Sequence, residues 1–116
     1  MVHNMGLYGE YFHAIRQRKK LYEVRLYDEK RRAISVGDTI EFLEVPEGSQ
    51  LLRVKVLGLR RYDTFREMYE DIPFALFDCE DWTMEEMVQG TYDIYSPEQE
   101  RQWGALAIRI EPVAEN

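Results

Sequence analysis

The chain has 116 residues, of which 45% are hydrophobic, and its formal net charge is −7. These values are typical of one globular domain, and we treat residues 1–116 as a single domain rather than as a disordered or multidomain chain. The acidic total disfavours a protein that coats nucleic acid nonspecifically, because such binding depends on many contacts with phosphates.

Three sequence features bear on where the protein works. No run approaches the roughly 20 apolar residues that cross a bilayer, and residues 1–5 lack the charged start and apolar run of a signal peptide. Cys79 is the only cysteine, so the chain cannot form an internal disulfide. Together with His3 and His13 it gives no spacing suited to tetrahedral zinc. We therefore predict a cytoplasmic protein with no membrane association, no metal and no cofactor.

The charges are unevenly distributed along the chain. Residues 16–32 contain eight basic and three acidic side chains, whereas residues 63–100 contain twelve acidic side chains and Arg66 alone as a base. A charge run is usually a solvated surface. The basic segment nevertheless leaves room for a local site that takes an anionic ligand.

The first half of the chain predicts one helix followed by strands. Apolar residues at helical spacing predict a helix over residues 7–18, with a further short strand candidate at residues 2–6. Alternation then predicts strands over residues 21–27, 39–43 and 50–60, the last two joined by a turn that contains proline and glycine.

The second half predicts short helices and a closing strand. Thr64, Thr83 and Ser96 each precede Glu or Gln by three residues, which is the pattern of a helix N-terminus. Residues 73–81 fit no regular pattern, and residues 105–110 alternate as a final strand. This order predicts an α+β fold in which a curved, mostly antiparallel sheet or small β-barrel is edged by helices.

The common enzyme signatures are absent from the sequence, since it has no nucleophile elbow, phosphate-binding glycine loop or dinucleotide fingerprint. The segment from 15 to 38 carries the strongest functional signal. Lys20 stands at a helix-to-strand junction, and Glu23 and Arg25 follow on one face of a strand, where a carboxylate can orient a guanidinium. On spacing alone, a surface salt bridge on a strand face is the better explanation of this pair.

Motifs along the chain add to this signal. The first part of the pattern places Phe12, Ile15 and Lys20 before Glu23-Val24-Arg25. Three further motifs follow along the chain: a Gly-Asp turn, a Thr-Phe helix start and a Trp-Gly pair before the last strand. They are Gly37-Asp38-x-Ile40-x-Phe42, Thr64-Phe65 and Trp103-Gly104. Over residues 5–111 this pattern resembles the ASCH domain family, particularly its small single-domain bacterial members. The resemblance implies a PUA-like fold, a small mixed or antiparallel β-barrel edged by helices.

The resemblance also implies a site. It is a cleft that binds RNA or a nucleotide-like ligand, lined by the lysine, the Glu-Val-Arg strand and the Gly-Asp turn. Residues expected to contact the ligand there are Arg18, Lys20, Tyr22, Arg25 and Asp38, with Tyr22 or Tyr27 available to stack on a base. Arg18 stands where many members have a glycine that ends the first helix.

Some small members of the family are amidohydrolases that deacylate acetylated cytidine nucleosides with a lysine, a hydroxyl residue and a glutamate. Here the lysine corresponds to Lys20 and the hydroxyl position to Glu23, which departs from the pattern. The glutamate falls near Glu80, with Asp81 and Glu85 as alternatives.

Three functions therefore follow from the sequence. The first is binding of RNA or of a nucleotide or nucleoside in a basic cleft around Lys20, Glu23 and Arg25. The second is an amidohydrolase that acts on acetylated cytidine with Lys20, Glu23 and Glu80 as catalytic residues. The third is a domain without chemistry whose basic segment meets a protein partner.

Overall fold

The computed structural model describes residues 1–114. The five strands are β1 (Val2–Tyr8), β2 (Tyr22–Leu26), β3 (Thr39–Val45), β4 (Leu51–Tyr62) and β5 (Ala105–Pro112). The five helices are α1 (Gly9–Arg16), α2 (Glu29–Arg32), α3 (Phe65–Asp71), α4 (Met84–Tyr92) and α5 (Pro97–Trp103), and a 3₁₀ turn covers Phe74–Phe77. Within residues 1–114, no helix is both long enough and apolar enough to cross a membrane.

The strands form one curled sheet in the order β1-β3-β4-β5-β2. β1 runs parallel to β3, and the other neighbouring pairs are antiparallel. The two edge strands, β1 and β2, face each other without a backbone ladder, and side chains of β2 and α2 donate to backbone carbonyls of β1 instead. Arg25 Nη2 donates to Gly6 O at 2.8 Å, and Lys30 Nζ donates to Asn4 O at 2.8 Å. The sheet is therefore a half-barrel edged by helices, and the α+β, PUA-like fold predicted from the sequence is confirmed.

Apolar side chains pack on both faces of the sheet. Inside the curl, the residues that alternation predicts to point inward are fully buried, among them Ile40, Phe42 and Val54. On the other face, Phe65 and Met68 of α3 pack with side chains of α4 and β5. Each such side chain contributes about 1.5–3 kcal/mol when buried, so the two clusters hold the sheet and the helices together.

The first strand differs from the prediction. The helix predicted to begin at residue 7 begins at Gly9, because Leu7 lies in β1 and is buried there. β1 pairs with β3 in register from Val2 with Thr39 to Tyr8 with Val45. The alternation in residues 2–8 is thus the signal of a full strand.

Residues 28–33, which lie between two predicted strands, contain the short helix α2. The Asp28 carboxylate accepts from Arg31 N at 3.1 Å and caps this helix. The predicted helix starts at Thr64, Thr83 and Ser96 are all present, each hydroxyl accepting from the backbone N–H three residues later.

Arg18 ends the first helical segment with φ of 62°. An L-residue pays roughly 1–2 kcal/mol in this left-handed region, which glycine enters freely. We therefore expect Arg18→Gly to raise the free energy of unfolding by about 1 kcal/mol, although it removes the exposed contact with Glu111. Denaturant unfolding measures this change. Lys19→Gly, at the adjacent exposed position outside the left-handed region, is the control and should lower stability; an equal loss in both variants would contradict the interpretation.

Candidate functional site

A cavity of about 610 Å³ opens where the free edge of β1 approaches β2. β1 and α1 form one wall, β2 forms the floor, and the segment from the 3₁₀ turn into α4 forms the opposite wall. This volume lies within the range of roughly 300–1,000 Å³ that is usual for small-molecule sites.

Lys20 reaches the cavity from the turn between α1 and β2, where its backbone N–H donates to Ala14 O. Its side chain is only 8% exposed. Nζ lies 5.7 Å from the ring centroid of Tyr11 and 5.6 Å from that of Phe77. The carboxylate oxygen Oε1 of Glu23 is 3.7 Å away, which is longer than a hydrogen bond.

Burial lowers the pKa of the Lys20 amine, and the nearby Glu23 carboxylate opposes this shift without cancelling it. Among residues 1–114, no side-chain hydrogen bond holds the amine. Lys20 therefore presents free N–H donors to the cavity.

Glu23 and Arg25 lie on the same side of β2 because residues two apart in a strand share a face. Glu23 Oε2 accepts from Arg25 Nε at 2.8 Å, and Arg25 Nη2 lies 2.7 Å from the same oxygen. Burial disfavours the charged form of Arg25, but Glu23 and Tyr95 together outweigh burial, and the net effect raises the pKa of the guanidinium. One carboxylate oxygen is thus occupied by Arg25, while the other faces Lys20.

The charges that line the cavity do not make it basic. Lys20 and Arg25 are its two cationic residues, and Glu10, Glu23 and Asp78 are its three acidic ones. The sequence predicted a basic cleft, whereas the lining of this cavity carries three carboxylates against two cations. The remaining bases of the segment, including Arg16 and Lys19, lie outside the lining, and all of them except the half-buried Arg31 are exposed.

Aromatic side chains surround the mouth of the cavity. Tyr8 is 58% exposed and Trp82 is 45% exposed, yet both line the cavity. The Trp82 ring lies against α4 at Gly90, where an added Cβ would come within 3.5 Å of Trp82 Cζ3. A broad aromatic surface is therefore held at the entrance, above the polar floor.

Four of the predicted contact residues lie elsewhere. Arg18 is exposed and faces Glu111, on the outside of the sheet. Tyr22 is buried on the opposite side of β2, with the guanidinium carbons of Arg60 and Arg109 at 5.8 and 5.4 Å from its ring centroid. The ring of Tyr27 is likewise covered by two guanidinium groups, which belong to arginines of α2 and β4.

Asp38 supports the turn before β3 instead of lining the cavity. Its Oδ2 lies 2.8 Å from His3 Nε2 and accepts from Ser35 N at 2.9 Å. These contacts lower the pKa of the Asp38 carboxyl from 3.8 to about 2, the His3 contact contributing most. The Gly-Asp motif at this position is therefore a structural turn.

The acidic residue on the 3₁₀ side of the cavity is Asp78. Glu80, Asp81 and Glu85 are exposed and do not line the cavity. Asp78 has φ of 63°, and this left-handed residue turns the chain as it leaves the 3₁₀ turn. Sequence reasoning missed Asp78 because such a turn has no clear signature without glycine. It also missed Tyr8, Glu10 and Trp82, which come from β1, from α1 and from the loop before α4.

Cys79 also lines the cavity, half-buried, and its thiol lies 3.5 Å from Phe77 O. Burial raises the pKa of this thiol, although Lys20 acts in the opposite direction. Within residues 1–114, no three His, Cys, Asp or Glu side chains are grouped so that they could hold a metal ion.

Comparison with known proteins identifies the family. The model of the ASCH domain matches residues 5–114. The chain belongs to the ASCH domain family. The resemblance inferred from the sequence motifs is therefore confirmed over nearly the whole chain.

Solved structures of two similar proteins match at full length. The crystal structure of hypothetical protein PH0355 is 42% identical, covers 97% of this chain and 100% of its own, and superposes with a TM-score of 0.87. The solution structure of protein PF0455 from Pyrococcus furiosus is 40% identical, covers 99% and 100% of the two chains, and gives a TM-score of 0.74. A point mutant of ZmASCH from Zymomonas mobilis is 13% identical, covers 97% and 73%, and gives 0.65, which shows the shared ASCH fold. No curated protein matches the chain.

Proposed function

We propose that the cavity binds RNA or a nucleoside-type ligand by enclosing one base above Lys20 and Glu23. The observation that carries this proposal is the buried pair at the floor, where the free N–H donors of Lys20 stand beside the free oxygen of Glu23. A nucleobase edge offers acceptors and donors side by side, so such a pair can recognise it.

The volume of the cavity, the aromatic residues at its mouth and the charges of its lining favour a base over a phosphate as the bound group. Its volume suits one nucleoside, and Trp82 and Tyr8 offer aromatic surface on which a base can stack. Because three carboxylates already outnumber Lys20 and Arg25 in the lining, an added phosphate would gain little there. RNA would therefore bind through a single unpaired nucleotide whose base enters the cavity, and a free nucleoside would bind by the same contacts.

Fluorescence tests this proposal, because the chain has only two tryptophans. In a Trp103→Phe variant, Trp82 at the cavity mouth is the only one left. We expect cytidine, adenosine or a short oligoribonucleotide to quench Trp82 saturably, and Lys20→Ala in the same background to lose the effect. Absence of saturable quenching with all three probes, at unchanged thermal stability, would overturn the proposal.

A second candidate is hydrolysis of acetylated cytidine, and the lowered pKa of the Lys20 amine favours it. A neutral amine can take a proton from an attacking water, and Lys20 is buried beside the substrate space. Glu23, held by Arg25, stands at the hydroxyl position of the amidohydrolases. Glu80 is exposed and outside the lining of this cavity, so the acidic residue available to assist the reaction is Glu10 or Asp78.

A chromatographic assay of N4-acetylcytidine distinguishes catalysis from binding. If Lys20 acts as the base, cytidine is released, the rate rises with pH through an apparent pKa below 10.5, and Lys20→Ala releases none. No release by the parent protein, with Trp82 quenching retained, would leave binding as the function and remove hydrolysis.

A further inference from the structure

A second pocket lies away from the cavity, in a part of the surface that the proposed function does not use. It is a groove of about 680 Å³ between the ends of α2, β4 and α5. Arg32, Arg61 and Arg101 line it, together with Trp103.

Two of these arginines are fixed by one aromatic ring. The guanidinium carbon of Arg61 lies 4.2 Å from the ring centroid of Tyr27, and that of Arg32 lies 4.7 Å from the same centroid. Arg32 also lies 5.9 Å from the Trp103 ring and donates through Nε to Tyr27 O at 3.0 Å. A guanidinium that rests on a ring keeps its in-plane N–H groups available for a ligand.

Neither guanidinium has a carboxylate partner within residues 1–114. Six other arginines form ion pairs, namely Arg18, Arg25, Arg31, Arg53, Arg60 and Arg101, whereas Arg16, Arg66 and Arg109 share the lack of one with Arg32 and Arg61 in this part of the chain. Asp63 and Glu67 line the same groove without pairing with either arginine.

The buried carboxylate that lines the groove is hydrogen-bonded to residues outside it. Glu100 accepts from Phe65 N at 2.7 Å and from the Tyr92 hydroxyl at 2.7 Å. It therefore holds α3, α4 and α5 together and forms no ion pair with Arg32 or Arg61. Two such guanidiniums at one ring can each give two parallel hydrogen bonds to an oxyanion with several oxygens.

We propose that this groove is a second binding site, and that Arg32 and Arg61 bind a phosphate group in it. The phosphate is either that of a small phosphomonoester or a phosphodiester of an RNA backbone, since both present the same oxygens. This site is independent of the cavity at Lys20, and it supplies the anion recognition that the charge-compensated cavity lacks.

Trp103 reports on this groove as Trp82 reports on the cavity. In a Trp82→Phe variant at constant ionic strength, the emission of Trp103 would be followed while glycerol 3-phosphate or a short oligoribonucleotide is added. A saturable change with glycerol 3-phosphate identifies a phosphomonoester site, and a change with the oligoribonucleotide alone identifies an RNA backbone site. If neither probe changes the emission saturably, the proposal fails.

Substitution of the arginines makes the test specific. We expect Arg61→Gln or Arg32→Gln to weaken binding of the responding probe about tenfold or more, and Arg61→Lys to lose part of the affinity because lysine lacks the bidentate fork. Arg101→Gln is the matched control, since Arg101 lines the same groove but already pairs with Glu98 at 3.2 Å. Equal losses in all the variants, or none in Arg61→Gln and Arg32→Gln, would overturn the assignment.

Discussion

Lys20→Ala is expected to weaken nucleoside binding by about 10- to 100-fold, because it removes the free charged donor at the cavity floor. The fold should survive the change. Glu23 retains both of its contacts with Arg25, so no buried carboxylate is left without a partner. We expect the free energy of unfolding to change by less than about 1 kcal/mol.

Isothermal calorimetry with cytidine and a thermal melt measure the two effects separately. Lys19→Ala is the matched control, because Lys19 has the same charge but is exposed outside the cavity. It should bind as the parent does. An affinity of Lys20→Ala equal to that of Lys19→Ala would show that the cavity floor is not the binding site.

Glu23→Ala is expected to destabilise the protein by about 3–5 kcal/mol, since it leaves Lys20 and Arg25 buried without their counter-charge. For a domain of this size, such a loss lowers the melting temperature by more than about 10 °C. Glu23→Gln keeps a hydrogen-bond acceptor for Arg25, so it should lower the free energy of unfolding by less than Glu23→Ala does.

An exposed ion pair provides the comparison. Arg53 is 70% exposed in its 2.8 Å contact with Glu41, and Glu41→Ala should therefore cost no more than about 1 kcal/mol. Denaturant unfolding of Glu23→Ala, Glu23→Gln and Glu41→Ala measures the loss of stability in each variant and ranks the three losses. If Glu23→Ala cost as little as Glu41→Ala, the Lys20-Glu23-Arg25 cluster would not be the buried network described above.

Most of the fold could be predicted because its signals are local. Ile40, Phe42 and Val54 alternate with polar residues, and this period of two places them on the inner face wherever the strands pair. β1 was predicted only as a short candidate because residues 7 and 8 were assigned to the first helix. Its parallel pairing with β3 could not be predicted, since no residue within 2–8 indicates the partner strand.

The candidate site, like the fold, could be predicted only where its residues are close together in the sequence. Glu23 and Arg25 could be placed together from their spacing in one strand, and Lys20 from its position at the start of that strand. Asp78 and Trp82 could not, since their positions depend on the backbone turn at φ of 63° and on the contact of the Trp82 ring with α4 at Gly90. The aromatic residues expected to stack, Tyr22 and Tyr27, are instead covered by arginines from other strands and helices.

A crystal structure of the protein with cytidine tests the central claim most directly. We predict that the base lies in the cavity beneath Trp82, within hydrogen-bond distance of Lys20 Nζ and of Glu23 Oε1. Cytidine bound only outside the cavity, with Lys20 and Glu23 untouched by the ligand, would contradict the account.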